Sequence, residues 1–288
     1  MPAAPAPAEN PTTEAKVALG RLLFYDPVLS SDHATACATC HSEIWGMGDG
    51  LAVSVGVEGV GPTGPGRDGP NKTRRNAQTL WNAAHRERLF WDGRAGSLEA
   101  QALEPITTAE ELGRNTLQEA IDDVAAIDGY RALFEEAFPG EAIDAVTLGR
   151  ALASFQRTLV AAWGPYDRYV AGDAGALSPE AQQGMFLFAA AGCASCHAPP
   201  RFESERYADR GLGGGDDLGR FEVSGNMADA GHFRVPTLRN LRETGPYFHD
   251  GSVATLADLV ARNGDRMGST SHLSPADQQA LVAYLESL

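Results

Sequence analysis

Two pentapeptides of one form, Cys37-Ala-Thr-Cys40-His41 and Cys193-Ala-Ser-Cys196-His197, use all four cysteines of the chain. Two thiols at this spacing reach the two vinyl groups of one porphyrin and form thioethers. The adjacent imidazole then lies beneath the iron as its proximal ligand. Each motif is therefore read as the attachment site of one haem c. A redox dithiol has no need of a histidine directly after its second cysteine. A zinc site made of all four thiols would need the pairs to converge and would leave both histidines to chance. Haem c is attached outside the bacterial cytoplasm, so a periplasmic location is expected.

The surroundings of the two motifs repeat. Gly20-Arg-Leu-Leu-Phe24 precedes the first, and Gly184-Met-Phe-Leu-Phe188 precedes the second. After the first come Thr79-Leu80-Trp81-Asn82, Trp91-Asp92-Gly93 and Ser97-Leu98. After the second come Thr237-Leu238-Arg239-Asn240, His249-Asp250-Gly251 and Thr255-Leu256, at identical offsets. Such self-similarity marks copies of one structural unit. The expected fold is mainly α, with two tandem class I cytochrome c-like domains at 14–165 and 166–288.

Coarse helices fit this division. Glu14 to Phe24 reads as an amphipathic helix with Val17, Leu19, Leu22 and Leu23 inward. Thr116 to Phe138 reads as one or two helices ending at Pro139-Gly140, and Val146 to Trp163 as a helix stopped by Gly164-Pro165. Ser178-Pro179 and Ser274-Pro275 are helix starts. The last of these helices should face Leu281, Tyr284, Leu285 and Leu288 to the core. The 32 Gly and 17 Pro residues call for ordered loops between short helices. Met1 to Thr13, Pro/Ala-rich, is expected to be a disordered lead-in with an added start Met, a secretory signal lying outside the sequence. No apolar run is long enough for a membrane span. The net charge of −15 argues against nucleic acid and is compatible with a partner that presents a basic face.

Comparison of the halves makes the haems unequal. A six-coordinate haem iron suits electron transfer, and an open one suits peroxide chemistry. Met267, in the loop before the last helix, is a candidate sixth ligand in the second half, or else a packing residue. In the first half the matching positions hold Pro105 and Ala109, neither of which coordinates. Glu111 and Gln101 are the candidates for moving a proton on the open face. Thr108-x-x-Glu111 is equally a capping box at a helix start. Trp91 is either a core residue or an electron relay.

The chain resembles the bacterial di-haem cytochrome c peroxidases and MauG-like enzymes from about Leu19 to the C-terminus. The resemblance rests on the haem motifs and on Leu-Gly-Arg-Leu-Leu-Phe-Tyr-Asp (19–26), Phe-Trp-Asp-Gly-Arg-Ala (90–95), Val-Pro-Thr-Leu-Arg-Asn (235–240) and Pro-Tyr-Phe-His-Asp-Gly (246–251). It implies a peroxidatic haem on His41, catalytic roles for Gln101 and Glu111, and Trp91 between the haems. It also implies a calcium ion held by Asn76, Thr244 and Pro246. Two departures stand out. The family's distal histidine is replaced in Ser54-Val55-Gly56-Val57, as in MauG-like members, so the first haem is expected to be open without reductive activation. Asn263 stands where the family's sixth ligand to the second haem falls, with Met267 displaced by four residues.

The expected function is thus peroxide reduction at the His41 haem, with electrons relayed through the His197 haem. The donor would be a small c-type cytochrome, a cupredoxin or a protein substrate. The alternative is a non-enzymatic di-haem electron-transfer cytochrome. Dimerisation is common among relatives and has no signature in the sequence.

Overall fold

A computed structural model describes residues 4–211 and 216–288. Met1 to Ala3, the start of the expected lead-in, lie outside the described residues. The chain divides into two compact units. The first comprises Pro2–Leu89 and Ala95–Val160, the second Phe90–Arg94 and Ala161–Leu288. The structure is mainly helical, and its sheet is one short antiparallel pair, β1 (Tyr207–Asp209) with β2 (His232–Arg234), among the described residues.

In the first unit, helix α1 (Glu14–Tyr25) is capped by the Thr13 hydroxyl, which accepts from Lys16 N. It buries Leu19, Leu23 and Phe24, whereas Leu22, expected inward, is 45 % exposed. Cys37–Cys40 forms the single turn α2, followed by α3 (Leu98–Gln101) and α4 (Glu104–Thr107). The expected helix at 116–138 is two helices, α5 (Leu117–Ala126) and α6 (Asp128–Ala137), broken at Ile127. Helix α7 (Ala145–Gln156) is capped by Asp144 and ends well before Trp163, where it was expected to stop. The Thr158 N–H and hydroxyl both turn back to the Phe155 carbonyl, closing the helix locally.

The lead-in also differs from expectation. Asn10 is fully buried; its amide donates to Glu99 Oε1 (2.8 Å) and the Arg150 carbonyl (3.1 Å), and Lys16 Nζ donates to its oxygen (3.2 Å). Arg157 donates to the same Glu99 oxygen at 2.6 Å and to the Pro5 carbonyl at 3.2 Å. A Pro/Ala-rich composition signals disorder only when nothing downstream offers polar partners. Here the half-buried Glu99 carboxylate and the buried Arg157 guanidinium offer them.

The second unit holds α8 (Pro165–Val170), α9 (Pro179–Ala190), α10 (Phe221–Ser224), α11 (Leu256–Ala261) and α12 (Pro275–Leu285). Ser178 and Ser274 cap α9 and α12 through Ala181 N and Asp277 N. Leu281, Tyr284, Leu285 and Leu288 are all buried. The fully buried Arg239 fastens α8 by a two-point bond to Asp167, at 2.6 and 2.8 Å.

The sequence repeat is a repeat of contacts. A Cβ at Gly20 of α1 would collide with the Ala151 carbonyl of α7, and its next neighbour is Phe155. A Cβ at Gly184 of α9 would collide with the Ala280 carbonyl of α12, and its next neighbour is Tyr284. Each unit thus crosses its pre-motif helix over its last helix at a glycine, with an aromatic residue one turn beyond the contact. The later repeats agree in backbone too. Asn82 and Asn240, Phe90 and Phe248, and Gly93 and Gly251 all take positive φ at matched positions. Bridges Leu89–Ala95 and Tyr247–Val253 close matched turns.

Candidate haem sites

Each motif folds as one tight turn with the imidazole at its end. His41 N donates to the Cys37 carbonyl and His197 N to the Cys193 carbonyl, both at 3.0 Å. The Nδ1 of His41 faces the Met47 carbonyl at 2.9 Å, and that of His197 faces the Phe202 carbonyl at 3.1 Å. A carbonyl only accepts, so Nδ1 carries the proton and Nε2 keeps its lone pair for a metal. Met47 and Phe202 are both buried with positive φ, which turns their carbonyls back onto the rings. The Thr79 hydroxyl donates to the Gly46 carbonyl (2.6 Å) and the Thr237 hydroxyl to the Arg201 carbonyl (2.7 Å). The repeated threonines therefore hold the residue before each carbonyl that orients a histidine.

This donor set fits a covalently attached haem: a pair of thiols on one turn and an imidazole whose Nδ1 is turned to a carbonyl, the tautomer that leaves the lone pair on Nε2. Burial disfavours charge on both imidazoles, lowering their pKa values. Burial also raises the Cys37 thiol to about 12, with the Glu111 charge adding to the effect. Cys40 is likewise raised to about 12 by burial, then by Asp49 and Glu111. Asp49, only 2 % exposed and itself pushed up by burial, stands beside this motif; no pattern in the sequence singled it out.

Glu111 therefore lies within electrostatic reach of the first haem motif. Its surroundings remove the capping-box alternative. Thr108 ends α4 instead of starting a helix, its hydroxyl donating to the Glu104 carbonyl at 3.0 Å. Glu111 sits in the turn that follows, its N–H on the Thr108 carbonyl at 3.0 Å. Val57, where the resemblance leads one to expect a distal histidine in other members, donates its N–H to the Glu111 carbonyl at 2.9 Å. Gly56 permits this, because a Cβ there would strike the carbonyls of Glu110 and Glu111. Gln101 ends α3, which Ser97 caps through Ala100 N and Glu99 anchors to Asn10 and Arg157.

In the second unit, Gly268 comes so close to Cys193 that an added Cβ would lie 2.9 Å from its Sγ, and Ser269 N donates to the Ala191 carbonyl at 2.9 Å. The loop that carries Met267 is thereby held against the second motif. Asn263 is occupied within that loop. Its amide donates to the Gly268 carbonyl and Thr270 Oγ1, both at 2.7 Å, and its oxygen accepts from Met267 N at 2.9 Å. Trp91, 9 % exposed, is counted with this unit. Its ring meets His249, its counterpart in the repeat, edge-on at 6.4 Å. His249 in turn stacks on Phe233 at 3.6 Å, and Arg234 N donates to the Trp91 carbonyl at 2.7 Å. Of the expected calcium ligands, Asn76 lies in the first unit with its amide on the Leu51 carbonyl at 2.8 Å, and Thr244 and Pro246 lie in the second.

Residues 14–175 match the family described as di-haem cytochrome c peroxidase. The methylamine utilization protein MauG of Methylorubrum extorquens is 40 % identical over 99 % of this chain and 81 % of its own length. The chain belongs to the di-haem cytochrome c peroxidase family. Cytochrome c551 peroxidase of Nitrosomonas europaea is 33 % identical, over 100 % of this chain and 84 % of the relative. Among solved structures, a MauG-like protein associated with microbial copper homeostasis superposes with a TM-score of 0.85. It is 30 % identical and covers 100 % of this chain and 93 % of its own. Like the peroxidases and MauG proteins it matches, this di-haem family member is an oxidoreductase, with two haem c groups implied by the family. Among the described residues no helix is long and apolar enough to cross a membrane.

Proposed function

We propose that this chain is a peroxide-reducing di-haem enzyme built from two tandem cytochrome c-like domains. Its open site is on the first motif, and its second haem passes electrons. Cys37, Cys40 and His41 hold one haem, and Cys193, Cys196 and His197 the other. When bound, haem supplies an iron that accepts peroxide on one face and takes up or releases single electrons. The observation that carries the reading is that Val57, which cannot ligate, is fastened by its N–H to the carbonyl of Glu111 at 2.9 Å.

Glu111 takes the proton from one peroxide oxygen and returns it to the other, the oxygen that leaves as water, with Gln101 hydrogen-bonding beside it. Trp91, edge-on to His249, carries electrons to and from the second haem. Met267 would be the further protein ligand to the second haem's iron, and Asn76 in the first unit and Thr244 and Pro246 in the second are the candidate ligands for a calcium ion. The donor is a small c-type cytochrome, a cupredoxin or an oxidisable protein substrate, and the compartment is the periplasm.

The test is to mix the oxidised holoprotein with stoichiometric hydrogen peroxide without prior reduction. A fast visible spectral change is expected, slowed about 100-fold in Glu111→Gln. A reaction that requires reductive pre-treatment would overturn the open-site assignment, and unchanged kinetics in the variant would overturn the role of Glu111. No reaction at all would leave an electron-transfer cytochrome.

A further inference from the structure

The segment Ser54–Glu58 belongs to a glycine-rich stretch that, apart from isolated bridges Val55–Lys72 and Val60–Asp68, forms no regular structure. Such a stretch has much conformational freedom to lose. Yet its backbone is fastened at nearly every residue by side chains from elsewhere in the first unit. Arg67 Nε donates to the Val55 carbonyl (2.8 Å) and Nη2 to the Gly56 carbonyl (3.0 Å). The same Nη2 reaches Thr35 Oγ1 at 3.3 Å. Asn71 Nδ2 donates to the Val57 carbonyl and the Asn71 carbonyl accepts from Gly56 N, both at 3.0 Å. Asp32 Oδ2 accepts from Glu58 N at 2.9 Å. Asp32 is itself fixed by Ser30 Oγ, Ala34 N, Thr35 N and Thr35 Oγ1, at 2.8 to 3.0 Å. On its opposite side the segment meets the turn that carries Glu111. Val57 N donates to the Glu111 carbonyl, and Gly113 leaves room for the Val57 side chain, which an added Cβ would meet at 2.8 Å.

We propose that Asp32, Arg67 and Asn71 are positioning residues that clamp Ser54–Glu58 into a rigid splint and, through the Val57-to-Glu111 backbone bond, fix the turn that presents the Glu111 carboxylate. The inference rests on the assignment of Glu111 to peroxide chemistry. Three side chains converge on four consecutive residues whose other side bonds only one turn, and that turn holds the acid–base group. The guanidinium is suited to the task, because its planar fork spans adjacent carbonyls that an ammonium would reach singly.

The test uses the oxidised holoprotein and four variants: Arg67→Ala, Arg67→Lys, Glu111→Gln and the Arg67→Ala/Glu111→Gln double. Arg67→Ala is expected to slow the single-turnover peroxide reaction about 10-fold by displacing the carboxylate. Arg67→Lys should recover part of that loss. In the Glu111→Gln background the Arg67 change should cost nothing further, since both act through one group. Amide exchange of 54–58 and of 108–113 should rise together in Arg67→Ala, with α7 unchanged. A wild-type rate in Arg67→Ala, an equal slowing in both backgrounds, or faster exchange at 54–58 alone would overturn the clamp. If Glu111→Gln reacts normally, the acid–base reading fails, and the joint rise in exchange still decides whether the splint exists. Asn71→Ala, which removes one side-chain bond, serves where Arg67→Ala does not fold.

Discussion

At the scale of single residues, the second haem site turns on how one amide is used. The Asn263 side chain is engaged with Gly268, Thr270 and Met267. It acts as the staple of a loop whose next feature is a methionine. Met267→Ala is expected to convert one haem of the oxidised protein from low spin to high spin and to abolish any sulfur-to-iron charge-transfer absorption. An unchanged spectrum would return Met267 to packing. The sequence pointed to Asn263 and Met267 through their place after Leu256, but not to the bonds between them. The seating of the Met267 loop was not legible either, because it depends on the close approach of Gly268 to Cys193, a contact with no pattern in the chain. Arg67 and Asp32 were invisible for a related reason: Arg67 donates to the carbonyls of Val55 and Gly56, and Asp32 accepts largely from backbone N–H groups, and backbone groups carry no sequence signal.

At the scale of elements, the repeat was the most legible feature, and its physical content is two glycine-mediated helix crossings. Gly20 and Gly184 each lie against a carbonyl of the helix they cross, leaving no space for a methyl group. Gly20→Ala and Gly184→Ala should each force their helices apart and destabilise their own unit by about 2–4 kcal/mol, against the usual gain from Gly→Ala in a helix. Denaturant unfolding of the holoprotein measures this, and a neutral or stabilising outcome at either site would reject the shared crossing. The turns after the motifs repeat as faithfully, and the threonines at 79 and 237 acquire a purpose there, tying down the carbonyl loops that orient His41 and His197. The helix expected at 146–163 was overextended because its apolar spacing continues past Gln156, whereas Thr158 closes the last turn and Arg157 is drawn to Glu99. Periodicity reports which face is apolar and says little about where a competing hydrogen bond ends a helix.

At the scale of the whole molecule, the first unit carries depressed carboxyl pKa values at the points that organise it. Burial alone would raise Asp32, but hydrogen bonds from Ala34, Glu58, Ser30 and Thr35 outweigh it and hold the group well below the ordinary carboxylate range. Glu99 is similar: the bonds from Asn10 and Arg157 overcome its burial and keep it low. A carboxylate depressed in the folded state contributes stability that is full above its unfolded pKa and is lost as pH falls through its folded one. For both groups that loss begins below about pH 4. Asp49, raised by burial, acts in the opposite direction, favouring the fold as it becomes protonated. The depressed groups fasten the Ser54–Glu58 segment and the Asn10 lead-in, so acid should loosen these two segments before the helix crossings, where Gly20 and Gly184 lie against backbone carbonyls and aromatic side chains. Amide exchange of the holoprotein between pH 7 and pH 2, corrected for the intrinsic pH dependence of exchange, is expected to show residues 5–10 and 54–58 beginning to open below about pH 4 and opening further as pH falls toward the folded pKa values, with α1, α7, α9 and α12 still protected. In Asp32→Asn the 54–58 segment should be looser at neutral pH and change less on acidification, because the titrating group is gone while residues 5–10 keep theirs. Uniform opening of all segments at one pH would show instead that acid acts through general charge, as a chain of net charge −15 is neutralised and then reversed.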